Sequence, residues 1–272
     1  SGVPVYRGDP YRPEFRGNIF VADVAGNLFY RLVTQPDGVT FKAQRVDDDR
    51  EFCAGRDVWF RPVNFANAPD GCLHVCDMYR EAIEHPWSLP DDIHAALDLE
   101  RGRDKGRLYR LAPPNFKARQ APKLSKATTA ELVALLAHPN AWHRDTAHRL
   151  LFERQDRSAW EPVYLMLDHP VSLARLHAMW TLAGMDMLSA ENTLPMLNDP
   201  DERVREAAVQ FADEIPGLRW AVPRLAADDS IRVRFRVALA LTEPEDEPAL
   251  IALARRDGAN PWLRAAILRS SG

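Results

Sequence analysis

The first 112 residues alternate between apolar and polar side chains in short runs, a pattern that predicts β-strands joined by tight turns. Glycine-containing turn signals separate the runs at Gly26-Asn27, Asp37-Gly38 and Asp70-Gly71. The runs that carry the pattern are residues 19–23, 28–33, 40–46, 63–68, 73–76 and 107–111. Short strands with Asp-Gly turns are typical of propeller blades or of a sandwich.

An insertion at residues 78–103 interrupts this strand pattern. It is rich in charged and aromatic residues, and Pro86, Trp87 and Pro90 precede a predicted short helix over residues 91–99. Long insertions between strands are more often functional than short loops. The alternative is that the segment only covers the surface and carries no chemistry.

The pattern changes after a linker at residues 113–124, where prolines disfavour both helix and strand. Over residues 125–272 the apolar residues recur with the 3.6-residue period of helices. Five arginines recur there at intervals of 29 to 31 residues, each followed three positions later by a small or β-branched apolar residue. The arginines are Arg144, Arg175, Arg205, Arg234 and Arg264. A fixed period of this length predicts a stacked array of helix pairs.

Each repeat is predicted to contain a first helix, a turn and a second helix that carries the arginine. The first helices are expected at residues 132–137, 163–167, 193–197, 222–226 and 249–254. The turns are expected at His138-Pro139, His169-Pro170, Asp199-Pro200, Asp228-Asp229 and Asn260-Pro261. Thr128 with Glu131, and Ser158 with Glu161, have the spacing of a capping box.

The arginine column has two interpretations. It could form a basic ridge for an anionic partner, or each guanidinium could pack along the neighbouring repeat and pair with a turn acid such as Asp199 or Asp228. The second is favoured, because a residue that recurs once per repeat is what stacking requires. The segment 199–208, with its Asp-Pro turn and Val-Arg-x-x-Ala helix, resembles short bacterial HEAT-like repeats.

Composition narrows the function without identifying it. The 272 residues suffice for one large domain or two ordinary ones. The net charge of −4 argues against a general nucleic-acid surface, and no apolar run approaches the ~20 residues of a membrane helix. The chain opens with Ser1-Gly2, without an initiator methionine or a signal peptide, so it is expected to be an internal piece or a processed product.

Candidate metal and nucleophile motifs are incomplete. Cys72, His74 and Cys76 would share one face of a strand, where core packing is favoured over a metal triad. Residues 81–85 contain two glutamates and a histidine but lack the second histidine of a hydrolytic zinc helix. No metal site is therefore predicted, and neither a glycine-rich phosphate loop nor a nucleophile elbow occurs in the sequence.

The stretch from Trp59 to Gly71, followed by residues 73–80, resembles the propeller of soluble glucose/sorbosone dehydrogenases. It is more similar still to the planctomycete-type membrane-bound dehydrogenases of the PVC-type haem-binding family. These join such a propeller to HEAT-like repeats and to a C-terminal cytochrome c with a Cys-x-x-Cys-His motif. The other segments that carry the resemblance are residues 5–9, 15–23, 26–28, 78–81, 83–87 and 102–111.

The resemblance implies a β + α fold. Residues 1–112 would be about two C-terminal blades of a six-bladed β-propeller, too few to close the ring. Residues 113–124 would be a linker, and residues 125–272 an α-solenoid of five HEAT-like helix pairs.

The resemblance also implies a cofactor, since the propeller mouth of the soluble enzymes binds pyrroloquinoline quinone (PQQ), with Ca²⁺ in the intact protein. Arg61 falls where those enzymes place a cofactor-contacting arginine, and an arginine fork suits the carboxylates of the cofactor. Asn64, Asn67 and Arg80 would line the same mouth, and Arg56 is a weaker candidate. The alternative for Arg61 is a structural role that ties the insertion to the blade.

The expected function is that of a fragment of an extracytoplasmic (periplasmic) PQQ-type sugar or alcohol dehydrogenase, with the helical array as scaffold or partner-binding surface. The histidine general base, the remaining blades and the haem-binding cytochrome c would lie on segments absent here, so this chain alone is expected to be inactive. One alternative is a non-catalytic binding protein that recruits a protein or polysaccharide partner. A similarity of the helices to phycobilin lyase-like repeats is a third, disfavoured by the β half.

Overall fold

The computed structural model describes residues 2–47 and 49–270. The chain divides into two compact units. The first comprises residues up to 35, 42–123 and 139–143, and the second comprises 36–41, 124–138 and the residues from 144 onward. Strands dominate the first unit and helices the second, so the fold is of the β + α type that the sequence predicts.

The strands form two small antiparallel sheets. The strands are β1 (Ile19–Asp23), β2 (Leu28–Asp37), β3 (Thr40–Arg45), β4 (Cys53–Ala54), β5 (Pro62–Asn67), β6 (Leu73–Asp77) and β7 (Arg107–Leu111). The first sheet has the order β1-β2-β3 with β4 paired to β2, and the second has the order β5-β6-β7. All six predicted strands are confirmed, whereas β4 was not predicted because two residues are too few to show alternation.

The core of the first unit is aromatic. Phe20, Phe29 and Phe65 are buried together with Leu73 and Val75. The rings of Phe29 and Phe65 meet nearly edge to face, with 5.3 Å between their centroids. Buried and half-buried positions alternate along β6, which is the period-2 signal that predicted this strand.

The N-terminal segment links the two sheets. The N–H of Gly2 donates to the carbonyl of Val63 in β5 at 2.8 Å. The N–H of Phe20 in β1 donates to the carbonyl of Pro4 at 3.0 Å. Residues 2–6 therefore satisfy backbone groups at the edges of β1 and β5.

The insertion contains a helix, α1 (Asp91–Ala96), which is shorter than the predicted 91–99. Leu97 adopts an extended conformation and ends the helix there. The remaining helices of the described residues are α2 (Thr129–Leu135), α3 (Ala141–Arg154), α4 (Trp160–Leu165), α5 (Ser172–Gly184), α6 (Ala190–Thr193), α7 (Glu202–Glu214), α8 (Ile231–Ala240), α9 (Glu247–Asp257) and α10 (Pro261–Ser270).

The predicted first helices are only partly α-helical. Helix α4 continues as a 3-10 turn over Met166–Asp168, and α6 is followed by a 3-10 segment over Pro195–Asn198. The expected helix at 222–226 is instead 3-10 helix over Pro223–Ala227. Prolines 195 and 223 account for this, because proline lacks the N–H that a continuing α-helix needs.

One predicted helix cap is present and the other is wrong. Thr128 and Glu131 form the full capping box at the start of α2. Ser158 does not cap α4; instead the carboxylate of Asp156 accepts a hydrogen bond from the Ser158 N–H at 3.0 Å. Asp156 caps the 3-10 turn Arg157–Ala159 that leads directly into α4, so a cap from Ser158 and Glu161 is not required there.

The second helices contact one another in sequence: α5 with α7, α7 with α8, and α8 with α10. The residue three positions after each periodic arginine is buried in all five repeats. These residues are Ala147, Ala178, Ala208, Val237 and Ile267. The 30-residue period therefore marks core positions, as predicted.

Three of the periodic arginines form a repeated contact that we call the arginine ladder: Arg175 with Asp199, Arg205 with Asp228, and Arg234 with Asp257. In the first rung the guanidinium of Arg175 binds both carboxylate oxygens of Asp199, at 2.7 and 2.6 Å. Its third nitrogen donates to the carbonyl of His169 at 2.8 Å. Both side chains are about nine-tenths buried or more. Such a two-point contact fixes the distance between neighbouring repeats.

Successive rungs share residues. The backbone carbonyl of Asp199 accepts Arg205 at 2.8 Å, and that of Asp228 accepts Arg234 at 2.7 Å. Each of these aspartates therefore receives one arginine on its carboxylate and the next on its carbonyl. The predicted pairing with Asp199 and Asp228 is confirmed, and the basic-ridge interpretation fails for these buried pairs.

Candidate functional site

Arg61 lies immediately before β5 and donates hydrogen bonds to three backbone carbonyls. Nε binds the carbonyl of Arg80 at 3.1 Å, Nη1 that of Val24 at 3.1 Å, and Nη2 that of Glu81 at 2.9 Å. Two of these carbonyls belong to the insertion and one to the turn after β1. This contact set is the structural alternative considered for Arg61, a tie between the insertion and the sheets.

Three converging carbonyl oxygens form a region of negative potential, and the guanidinium of Arg61 is the cation that fills it. Most of its directional donors are therefore engaged by the backbone. Its direct contribution to an anionic ligand is reduced accordingly. Arg61 therefore holds residues 80 and 81 of the insertion in place.

Asp77, the last residue of β6, holds the start of the same loop. Its Oδ1 accepts the N–H of Arg61 at 2.8 Å and the N–H of Tyr79 at 2.9 Å. The residue is 3% exposed, and among the described residues its Oδ2 has no hydrogen-bond partner. Tyr79 adopts φ of 49°, in the left-handed region that costs a non-glycine residue energy.

The other predicted mouth residues have separate surroundings. Arg80 donates from Nη1 to the carbonyl of Glu100 at 2.9 Å, and so it lies beside Arg61 in the insertion. Asn67 binds the N-terminal segment, donating to the carbonyl of Val5 and accepting from the N–H of Arg7. Asn64 is exposed, and its Oδ1 accepts the N–H of the following residue at 2.9 Å.

Strand geometry separates the two asparagines. Phe65 pairs with Val75, and both are buried on the core side of the sheet. Asn64 and Asn67 are three residues apart, so they point to opposite faces of β5. The structure thus brings Arg61 and Arg80 together but does not join them to both asparagines. Arg56 is exposed and belongs to the loop after β4.

Cations and aromatic rings gather beside Arg61 in a group that the sequence did not predict. We call it the Trp59–Tyr79 cluster, and it consists of Asp57, Trp59, Tyr79, Arg101 and Arg107. The two rings are 5.6 Å apart at 54°. The guanidinium of Arg107 lies 3.5 Å from the centre of the Tyr79 ring, and that of Arg101 lies 5.6 Å from the centre of the Trp59 ring.

Local geometry explains how residues from distant parts of the sequence meet there. Gly102 has φ of 91°, and a Cβ at this position would lie 2.6 Å from the carbonyl oxygen of Tyr79. Only glycine allows the end of the insertion to pass so close to its beginning. Arg101, which also pairs with Glu81 at 2.9 Å, is thereby placed over Trp59.

A short hydrogen bond polarises the cluster. The hydroxyl of Tyr79 donates to Asp57 at 2.7 Å. This bond lowers the pKa of Asp57 below its ordinary value and raises the pKa of Tyr79. Asp57 is therefore a carboxylate and Tyr79 a neutral phenol at neutral pH.

The cluster suits a flat ligand that carries negative charge. Exposed arginines supply directional donors to carboxylates, and the indole and phenol rings supply faces for stacking. A planar polycarboxylate, the chemical class to which PQQ belongs, has groups complementary to these side chains. In residues 2–47 and 49–270, no group of three or more His, Cys, Asp or Glu side chains is placed to hold a metal ion.

The thiol of Cys72 is unsuited to ligand chemistry. Cys72 is fully buried, and burial raises the pKa of its thiol to about 11. A thiol that remains protonated is a poor metal ligand and a poor nucleophile. Cys72 is therefore a poor candidate ligand in the triad considered for Cys72, His74 and Cys76.

Comparison with known proteins concerns mainly the β part of the chain. A family model described as Domain of unknown function (DUF7133) matches residues 1–115. The match covers less than half of the chain and includes the Trp59–Tyr79 cluster. No curated protein matches the chain.

Among the described residues, none of the helices is both long enough and apolar enough to cross a membrane.

Proposed function

We propose that the first unit binds a planar, carboxylated cofactor of the PQQ type at the Trp59–Tyr79 cluster. The observation that carries this proposal is the pair of guanidinium groups, Arg101 and Arg107, stacked over Trp59 and Tyr79. Stacked arginines are held in place by the rings while their outer N–H groups remain able to bind carboxylates. When bound, such a cofactor would supply the oxidising quinone, and the residues of this chain would bind and orient it.

We further propose that the chain is part of an extracytoplasmic dehydrogenase-like protein. In this view the two sheets are blades of a propeller and the helix pairs are a HEAT-like solenoid that serves as scaffold. Support comes from the sequence resemblance together with the regular contacts of the second helices and the arginine ladder. The missing blades, the general base and the cytochrome c would be supplied by the rest of the intact polypeptide.

The first test is an absorbance or calorimetric titration of the chain with PQQ. We expect Arg107→Gln to weaken binding about tenfold, the effect of losing one charge-assisted contact of about 1.4 kcal/mol. Arg45→Gln is a matched control, because Arg45 also stacks on a tyrosine, Tyr30, at 4.5 Å but is not a member of the cluster. Absence of binding, or equal losses in both variants, would contradict the proposal.

A non-catalytic binding protein is the second candidate function, and the bonding of Arg61 favours it. Its side chain is engaged by three carbonyls, and the cluster itself contains no histidine to act as a base. The two candidates differ in the intact protein. A quinone-dependent dehydrogenase with PQQ and Ca²⁺ should reduce a dye with a sugar or an alcohol, whereas a binding protein should not.

A further inference from the structure

A cleft lies within the helical unit, between α3 and α5. It has a volume of about 300 Å³ and is lined by Asp145, His148, Leu176, His177 and Trp180. Cavities of this size lie at the lower end of the range for small-molecule sites and accommodate about one six-membered sugar ring. None of these residues takes part in the arginine ladder.

The hydrogen bonds around His148 determine its tautomer. The hydroxyl of Thr181 donates to the carbonyl of His177 at 2.7 Å, so its proton is engaged. The Nδ1 of His148 lies 2.9 Å from this hydroxyl oxygen and must therefore donate to it. Burial lowers the pKa of His148, which keeps the ring neutral at pH 7. Its Nε2 is consequently a hydrogen-bond acceptor.

His177 is oriented in the opposite sense. The Nε–H of Arg144 points to Nε2 of His177 at 3.3 Å, and an arginine can only donate. His177 Nε2 is therefore the acceptor of that bond and Nδ1 carries the proton. The Asp145 carboxylate lies 4.0 Å from the same Nε2, and its side chain is 43% exposed. The cleft thus combines the imidazoles of His148 and His177 with a solvent-accessible carboxylate.

Trp180 provides the apolar wall. It is 40% exposed, while Phe211 packs against it at 4.8 Å and 66°. Phe211 is buried, so the indole is braced from one side and accessible from the other. An aromatic side chain held in this way offers a rigid surface with little loss of freedom on binding.

We propose that this cleft binds one ring of a neutral saccharide, with the sugar stacked on Trp180 and its hydroxyl groups donating to Asp145 and His148. The weakly positive C–H face of a pyranose matches the negative face of an indole. Hydroxyl donors match the acceptors of the carboxylate and of His148 Nε2. The carboxylate disfavours an anion, and the nearby guanidinium of Arg144 disfavours a cation. The site is separate from the proposed cofactor site and does not depend on it.

The test uses calorimetry or saturation-transfer NMR on the whole chain with cellotetraose, xylotetraose and laminaritetraose. We expect at least one of them to bind with a dissociation constant of about 1 mM or below. Trp180→Ala should weaken that binding about tenfold or more. Trp220→Ala is the matched control, because Trp220 is also exposed on the helical unit but lies outside the cleft.

A second variant covers the case in which Trp180→Ala does not fold. His148→Asn keeps a side-chain N–H for Thr181 but removes the Nε2 acceptor, so it should retain the helical circular dichroism signal and weaken binding. The proposal is overturned if none of the three saccharides binds in the millimolar range, or if Trp220→Ala weakens binding as much as Trp180→Ala. It is also overturned if trigalacturonate, an anionic counterpart, binds more tightly than the neutral sugars.

Discussion

Arginine has opposite surroundings in the two units. In the helical unit Arg175 is buried and binds a buried carboxylate and a carbonyl, and this arrangement repeats from one helix pair to the next. In the β unit Arg101 and Arg107 are exposed and lie over aromatic rings. The first arrangement fully engages the guanidinium, whereas the second leaves donors facing solvent.

The difference shows how a structural arginine can be told from a ligand-binding one. Periodicity and burial indicate an internal role, because a repeated contact must be satisfied within the array. Stacking of arginines at an irregular loop, with a strained residue such as Tyr79, instead indicates a surface that binds a ligand. Arg61 is intermediate, since it lies in the irregular loop but binds carbonyls as the ladder arginines do.

Removing one ladder acid should have the largest effect. Asp199→Ala leaves the guanidinium of Arg175 buried without its carboxylate, and we expect a loss of about 3–5 kcal/mol in the free energy of unfolding. Urea denaturation followed by circular dichroism at 222 nm measures it. Glu153→Ala is the control, because its pair with Arg149 is exposed on both sides and is worth about 0.5 kcal/mol or less. Equal effects of the two changes would refute the distinction between ladder and surface pairs.

The second-largest loss of stability is expected in the β unit, from adding a methyl group at Gly102. Gly102→Ala places Cβ 2.6 Å from the Tyr79 carbonyl at a positive φ, and we expect a cost of about 2–3 kcal/mol together with loss of the cluster. The near-ultraviolet circular dichroism of Trp59 and limited proteolysis of the insertion report it. Gly17→Ala also has a positive φ, 84°, but no atom within 4 Å, so only about 1 kcal/mol is expected there. A larger loss of stability at Gly17 would show that the positive φ, and not the contact with the Tyr79 carbonyl, determines the cost of adding a methyl group.

The ladder should also make the helical unit sensitive to acid. Burial tends to raise the pKa of Asp228, but hydrogen bonds from Arg205 and from the Ser230 N–H outweigh it, and the net pKa is lowered. A lowered pKa contributes stability that is complete above the unfolded value of about 3.9 and is lost as the pH falls through the lower folded value. We expect Asp228→Asn to be less stable at pH 7 and to lose less further stability between pH 5 and 3 than the unaltered chain. If the free energy of unfolding falls with pH in the same way for the two proteins, Asp228 does not contribute to the acid sensitivity.

Helix caps provide the smallest test. Thr128→Ala removes a complete capping box and should cost about 1 kcal/mol, whereas Ser158→Ala should cost less than about 0.5 kcal/mol because Asp156 caps that start. Thermal denaturation of both variants compares them directly. A larger loss of stability for Ser158→Ala would show that Ser158 does cap its helix, as the sequence spacing predicted.

The sequence predicted the features that depend on local patterns along the chain, namely the strands and the acids that recur in the turns. The strands followed from alternation, and Asp199 and Asp228 were identified as arginine partners because they recur in the turns. Asp257 was missed, since the corresponding turn was expected at Asn260-Pro261, where Asn260 instead accepts the N–H of Trp262 at 3.0 Å. The third rung uses an acid from the end of α9.

The Trp59–Tyr79 cluster could not be predicted in the same way. Its members lie in three separate sequence segments, and they meet because Tyr79 and Gly102 adopt positive φ values. Neither conformation is encoded by periodicity. A glycine directly after Arg101 was the one local signal for a close approach of the backbone.

The shared residues of the ladder bear on how this array can change in length. Each rung joins an arginine to an acid 23 or 24 positions further on. A duplication of one 30-residue segment would therefore copy a donor together with its acceptor, and the added module would arrive with its connections to both neighbours already encoded. Evolution can lengthen or shorten such an array in whole modules, whereas a single-residue insertion in the Asp199-Pro200 turn would misplace both arginines that this aspartate holds.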